Sequence, residues 1–138
     1  MNPAPMPFVT ALYAGLAGVL LVLLAARVSM LRRRHGDGVG DGDNRELRLA
    51  IRAHGNAVEW GVVSLLLLLV AELTRHAPIL LHACGIAIIA GRVLHAIGLS
   101  RSGGPSAGRM LGSILSWTAV LVLSVSLVVS AVRVLTLA

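Results

Sequence analysis

The sequence has very few aromatic residues, a single cysteine and no lysine. Aromatic residues make up 3% of its 138 positions, too few for the base-stacking surface of a single-stranded nucleic-acid binder. The one cysteine, Cys84, excludes a disulfide within the chain. Because lysine is absent, all 12 basic residues are arginines, and they flank or interrupt apolar segments although the net charge is +6. We therefore expect no nucleic-acid partner.

Charged residues are also scarce, whereas apolar residues are abundant. The chain is 13% charged and 57% hydrophobic, with a mean hydropathy of +0.87, which is typical of an integral membrane protein. Its length has room for one domain, residues 1–138. Apolar stretches long enough to span a bilayer predict an all-α fold, a transmembrane four-helix bundle. The predicted helices cover about residues 7–30, 45–75, 78–100 and 109–134.

The arginines predict how this bundle lies in the membrane. The connectors after the first and third helices carry six of them: Arg32, Arg33, Arg34, Arg45, Arg101 and Arg109. The opposite ends of the helices carry only Arg75 and Arg133. The positive-inside rule then places both basic connectors, including the loop 31–44, in the cytoplasm and both termini on the non-cytoplasmic side. We expect a multi-pass protein of the cell inner membrane.

Polar residues at two helix ends have simple structural interpretations. Asn44 follows a glycine- and aspartate-rich connector and is predicted to be the N-cap of the second helix. The connector lacks the ligand spacing of an EF-hand, so we interpret it as a flexible, solvated loop. Glu72 and Arg75, at the far end of the same helix, are predicted to form a surface ion pair.

One face of the second helix carries a polar stripe. At about 100° per residue, Arg48, Arg52, Asn56 and Glu59 fall within about 80° of one another. The apolar run that follows, residues 60–71, spans about 18 Å, whereas a bilayer core needs about 20 residues of helix. Part of the stripe must therefore lie at membrane depth, where ionisable groups usually mark a functional site.

Residues of other helices are predicted to reach the same leaflet. Arg92 and His95 lie near the end of the third helix, and Arg109 begins the fourth. Together with the stripe they would line a cavity with several guanidinium groups and one carboxylate, which favours a small anionic ligand that carries carboxylates and an amine. Alternatively, these groups pair with one another or with lipid phosphates and only fix the helix register. The histidine spacing predicts no metal site.

The second helix contains Arg52-Ala-His-Gly-Asn56-Ala-Val-Glu59-Trp60, the third contains Gly91-Arg92-Val-Leu-His95, and an arginine opens helix four. These segments resemble motifs of the MAPEG family, the membrane-associated proteins in eicosanoid and glutathione metabolism, and the connector is similar to that of bacterial members. The resemblance implies a homotrimer of four-helix bundles that binds glutathione at the subunit interface. It assigns glutathione binding to five residues and the catalytic stabilisation of the glutathione thiolate to a sixth. The five are Arg52, Asn56, Glu59, Arg92 and His95, and the sixth is Arg109.

The resemblance implies a transferase or peroxidase that uses glutathione as a cosubstrate. Its second substrate would be a lipophilic electrophile or peroxide that enters from the bilayer. The chain has Gly55, Leu99 and Met110 where eicosanoid-producing members have Arg, Tyr and Ser, so eicosanoid synthesis is not expected. The alternative function is a non-catalytic trimeric membrane protein that binds an anionic ligand or a membrane lipid.

Overall fold

The computed structural model describes residues 6–101 and 104–137, and this part of the chain is built from four α-helices. They are α1 (Phe8–His35), α2 (Arg45–Leu73), α3 (Pro78–Arg101) and α4 (Ala107–Leu137). Each is long and apolar enough to cross a membrane. The predicted all-helical membrane fold is therefore confirmed.

The α1–α2 connector is shorter than the sequence suggested, because α1 continues to His35 instead of ending near Met30. Arginine is a good helix former, and cations stabilise the C-terminal end of a helix. Gly36 then ends α1 in a left-handed conformation (φ 77°), and its N–H donates to the carbonyl of Arg32. At the other end of the connector, the Asn44 side chain accepts a hydrogen bond of 3.0 Å from Leu47 N, which confirms the predicted N-cap.

Consecutive helices run in opposite directions, so α1 and α3 are parallel. We call the end of the bundle that carries the α1–α2 connector the arginine-rich end. The main apolar core lies towards the other end and is centred on Leu68, Leu81, Ile88 and Leu123. Large apolar side chains also point away from the bundle, as Val22 on α1 and Leu121 on α4 do. A lipid environment explains this outward apolar surface.

Helices α3 and α4 approach each other closely because glycines face each other across their contact. A Cβ atom on Gly91 would overlap Ser116 and the carbonyl of Gly112, and one on Gly112 would overlap the backbone of Gly91. Small residues let the backbones of membrane helices come together in this way. The close approach brings the backbone carbonyls of α4 within reach of α3 side chains.

The predicted surface pair of Glu72 and Arg75 is wrong. Glu72 is only 9% exposed, and its carboxylate accepts hydrogen bonds from Val9 N (2.9 Å) and Thr10 N (2.6 Å) in the first turn of α1. Those amides have no partner within their own helix, and they lie at its positive end. Glu72 of α2 therefore caps α1, whose own N-cap residue, Pro7, offers no side-chain hydrogen bond.

A second polar contact joins α1 to α3 near the same end. The Tyr13 hydroxyl lies 3.0 Å from His82 Nδ1 and donates to the His82 carbonyl at 3.2 Å. Gly85 makes room for the ring, since a Cβ at this position would overlap Tyr13. The first helix is thus fastened at this end by a carboxylate from α2 and by a tyrosine contact to α3.

Candidate functional site

A single guanidinium group joins three helices in the middle of the predicted site. Arg92 of α3 is 4% exposed. Its Nη1 donates to Asn56 Oδ1 on α2 at 2.8 Å, and its Nε donates to Ser116 Oγ on α4 at 3.0 Å. Its Nη2 lies 3.4 Å from the carbonyl of Gly112, also on α4. Arg92 therefore fixes α2, α3 and α4 relative to one another.

None of these acceptors carries a charge. Within the described part of the chain, residues 6–101 and 104–137, the ion pairs are those of Arg27 with Glu46 and of Arg48 with two aspartates of the connector. The Arg92 guanidinium also lies 6.0 Å from the centroid of the Trp60 ring, a cation–π contact. Neutral groups thus satisfy its hydrogen bonds while its positive charge remains without a carboxylate partner, which favours an anion nearby.

The contact with Arg92 sets the orientation of the Asn56 amide. Because Oδ1 accepts from Arg92, the NH₂ group of Asn56 is left as a donor. No side chain or carbonyl in the described part of the chain accepts from it, and Asn56 is only half-buried. Asn56 therefore presents a pre-oriented donor to a ligand at the surface of α2.

Arg52 and Glu59 lie on the same face of α2, about one turn to either side of Asn56. Both side chains are exposed. Arg52 borders a 400 Å³ cavity at the arginine-rich end together with Asp41 and Arg48. The structure therefore keeps the predicted stripe on one helix face, but within the single chain it does not gather Arg52 and Glu59 around Arg92.

The neighbouring connector is held to α2 by side-chain contacts. Arg48 donates to Asp41 and also lies 3.5 Å from Asp43 Oδ1. The hydrogen bond from Arg48 holds the pKa of the Asp41 carboxyl below its usual range. These ion pairs join the part of the loop next to Arg52 to α2, but they are exposed to solvent, so the flexibility of the loop stays a prediction.

His95 and Arg109 line a separate groove of about 750 Å³ on α3, α4 and their connection. Arg109 Nη1 donates to the carbonyl of Gly104 at 2.7 Å, which holds this side chain against the connection. Trp117 forms part of the groove, and its ring centroid lies 6.0 Å from that of Trp60 on α2. The groove combines a cation and an imidazole with an apolar wall, so it suits a ligand with an anionic head and an apolar body.

The predicted site residues thus fall into three places. Asn56 contacts Arg92, His95 shares a groove with Arg109, and Arg52 and Glu59 face outwards from α2. Their roles in ligand binding and catalysis stay predictions. The described residues contain no group of three histidine, cysteine or acidic side chains that could hold a metal ion.

Two partners of Arg92 were missed by the sequence reasoning. Neither Ser116 nor Gly112 was identified as a site residue from the sequence. Both lie on the α4 face that meets Arg92, four residues apart. Their spacing shows only that they share a helix face, because residues at i and i+4 lie one above the other, and does not show which helix that face meets.

Comparison with known proteins agrees with this architecture. The model of the MAPEG family matches residues 10–129, which extend from α1 into α4. The chain is 41% identical over 90 residues to the inner membrane protein YecN of Escherichia coli K12, an alignment that covers 65% of this chain and 69% of that protein. The YecN protein of Escherichia coli O6:H1 gives the same identity and coverage.

Proposed function

The chain belongs to the MAPEG family and is a multi-pass inner membrane protein, and from this premise we propose that it binds glutathione between its helices. The bound thiol is activated towards lipophilic electrophiles or peroxides, which makes the protein a glutathione-dependent transferase or peroxidase. The site lies at the arginine-rich end, which faces the cytoplasm, with both termini on the opposite side.

The observation that carries this proposal is the buried Arg92, whose acceptors in the described part of the chain are all neutral and which orients the Asn56 amide. Glutathione has two carboxylates and one ammonium group, and it is a net anion. The Asn56 NH₂ group and the Arg52 guanidinium bind one carboxylate, and the Glu59 carboxylate binds the ammonium. Their spacing of three to four residues brings neighbouring side chains about 5–6 Å apart on the helix face, which suits a short peptide-like ligand.

The groove beside His95 and Arg109 receives the cysteine of glutathione. A guanidinium near the sulfur favours the charged form and so lowers the pKa of the thiol. The thiolate sulfur then attacks an electrophilic carbon of the second substrate and displaces its leaving group. With a peroxide it attacks an oxygen and breaks the O–O bond, which releases the alcohol, and a second glutathione reduces the resulting sulfenic acid to give the disulfide and water. Met110, Ile114 and Trp117 line this groove, and they offer an apolar surface to a substrate that enters from the bilayer.

A homotrimer completes the site in this proposal. Arg52 and Glu59 are exposed on a helix that crosses the membrane, and charged groups at membrane depth normally face protein or a water-filled cavity. A second copy of the chain packed against this face of α2 covers both side chains. Glutathione then binds between subunits.

The alternative function, a non-catalytic trimer that binds an anionic ligand or lipid, has support from one position. Leu99 stands where eicosanoid-producing relatives have a tyrosine, and it is buried against Ala53 and Ala96. The chain therefore lacks a hydroxyl at this position, and Leu99 is not among the residues that line the groove of His95 and Arg109. This difference weakens the case for catalysis but leaves the binding residues in place.

Titration of the purified protein with glutathione separates the two functions. Calorimetry measures binding while ultraviolet absorbance measures the thiolate. We expect Glu59→Ala to weaken binding and Arg109→Ala to reduce the thiolate signal, whereas the matched controls Glu46→Ala and Arg33→Ala leave both unchanged. Binding by the native protein without a thiolate signal would favour the non-catalytic function. No binding up to millimolar glutathione would rule out the enzyme.

A further inference from the structure

A second concave surface lies between α1 and α3 at the arginine-rich end. It has a volume of about 360 Å³ and shares no lining residue with the groove that holds His95 and Arg109. Its walls combine aliphatic side chains with two arginines: Leu20, Leu24 and Arg27 from α1, and Val93, Ile97 and Arg101 from α3. We call this surface the α1–α3 groove.

The lining residues are ordered by depth. On α1 they recur at i, i+4 and i+7, and on α3 at i, i+4 and i+8, so each set lies on one helix face. The helices α1 and α3 are parallel, and Tyr13 contacts His82 and Gly85, so Leu20 lies at a depth similar to that of Val93, and Arg27 at a depth similar to that of Arg101. At 1.5 Å per residue, the arginines are about 10–12 Å closer to the membrane surface than the first aliphatic residues. The groove is therefore apolar at depth and cationic at its mouth.

Both arginines are available to a ligand. Among the residues that the structure describes, Arg27 forms one ion pair, with Glu46 at 4.0 Å, and the two side chains are 31% and 53% exposed. An ion pair this long and this exposed is weak and exchanges readily. Arg101 is exposed and has no side-chain hydrogen bond or ion pair with any residue that the structure describes.

We propose that the α1–α3 groove binds one anionic phospholipid. The phosphate and headgroup lie between Arg27 and Arg101, and an acyl chain follows the aliphatic walls inwards. Charge complementarity identifies the occupant, because two guanidinium groups match a phosphate with a second anionic or hydroxylated group better than they match a zwitterionic headgroup. The aliphatic walls deeper in the groove match an acyl chain, which a lipid has and a small soluble anion lacks. This site is independent of the proposed glutathione site.

Native mass spectrometry of the full-length protein tests this proposal. The detergent-solubilised protein is given equal amounts of phosphatidylglycerol and phosphatidylcholine with identical acyl chains. We expect the native chain to retain phosphatidylglycerol several-fold more, and the variant Arg27→Gln/Arg101→Gln to lose this preference. The control Arg33→Gln/Arg34→Gln removes the same charge from exposed arginines outside the groove, and we expect it to keep the preference.

A third variant tests the apolar part without any change of charge. Ile97 is 43% exposed, so Ile97→Trp fills the groove without disturbing the packed interior, and we expect several-fold lower retention of phosphatidylglycerol. This variant keeps the proposal testable if the double arginine variant fails to fold. Equal retention of both lipids by the native chain would overturn the proposal, and so would an equal loss in the Arg33/Arg34 control or unchanged retention by Ile97→Trp.

Discussion

Asn56 on α2 accepts a 2.8 Å hydrogen bond from the buried guanidinium of Arg92 on α3. The contact connects the two motifs that the sequence places 36 residues apart. The two residues differ in exposure, because Arg92 is buried and Asn56 is only half-buried, so Asn56 is the one that a ligand can reach. Arg92 thus acts as a positioning residue for the Asn56 amide in the proposed site.

Replacement of Arg92 by lysine should destabilise the bundle. A lysine keeps the charge but lacks the planar fork that reaches α2 and α4 together. At about 1 kcal/mol per lost hydrogen bond, we expect a loss of about 2–3 kcal/mol. Thermal unfolding in detergent measures it, with Arg133→Lys on the exposed part of α4 as the control. An unchanged melting temperature for Arg92→Lys would contradict this role.

Loss of the Arg52 guanidinium should weaken glutathione binding. If this side chain pairs with a ligand carboxylate that becomes buried, Arg52→Ala should lose about 2–5 kcal/mol of binding free energy. Calorimetry measures the change, and Arg45→Ala, an exposed arginine at the start of the same helix, is the control. A change of about 0.5 kcal/mol or less, typical of a surface charge, would show that Arg52 does not contact the ligand.

Removal of the Glu72 carboxylate should loosen the start of α1. Glu72→Ala leaves the N–H groups of Val9 and Thr10 without their acceptor, and the loss of a helix cap costs about 0.5–2 kcal/mol. Hydrogen exchange resolves this effect, because the amides of residues 9 and 10 should exchange faster while those in the middle of α1 do not. The exposed carboxylate variant Glu46→Ala should leave the start of α1 unchanged, and equal exchange in both variants would argue against the cap.

The contact between Asp41 and Arg48 should be lost in acid. Arg48 lowers the pKa of Asp41 below its ordinary value of 3.8. A carboxyl with a lowered pKa in the folded state contributes its stabilisation above its unfolded pKa, and this contribution disappears as the pH falls through the folded pKa. The contact therefore persists at neutral pH. In an NMR titration of the carboxyl carbon, Arg48→Ala should raise the pKa of Asp41 towards 3.8, and Arg45→Ala should leave it low.

The sequence was sufficient to predict features that depend on local pattern. Hydrophobic length predicted four membrane helices, and residue type predicted the Asn44 cap, because both signals lie within a few residues. The stripe of Arg52, Asn56 and Glu59 follows from helical periodicity alone. The sequence predicted only that Asn56 and Arg92 lie in the same leaflet. The structure shows that they are joined by a hydrogen bond.

The missed features depend on which helix faces meet. Glu72 finds its partners 62 and 63 residues away in α1, and its neighbour Arg75 made a surface ion pair the natural interpretation. Ser116 differs from the other serines of α4 only because α4 packs against α3 at Gly91 and Gly112. No local pattern encodes which face of α4 turns towards α3, so the sequence alone could not distinguish Ser116 from the other serines of this helix.

The link from Arg92 to Gly112 and Ser116 also constrains how the protein is made. An arginine at the centre of an isolated helix costs about 2.5–3.5 kcal/mol in translocon insertion, and less towards the helix end where Arg92 lies; two of the three Arg92 acceptors belong to α4. We infer that α3 and α4 enter the bilayer together as a helical hairpin, with the charge already shielded. Truncation of the chain before α4 should therefore leave α3 poorly inserted, and glycosylation mapping of its far end would reveal whether biogenesis follows this order.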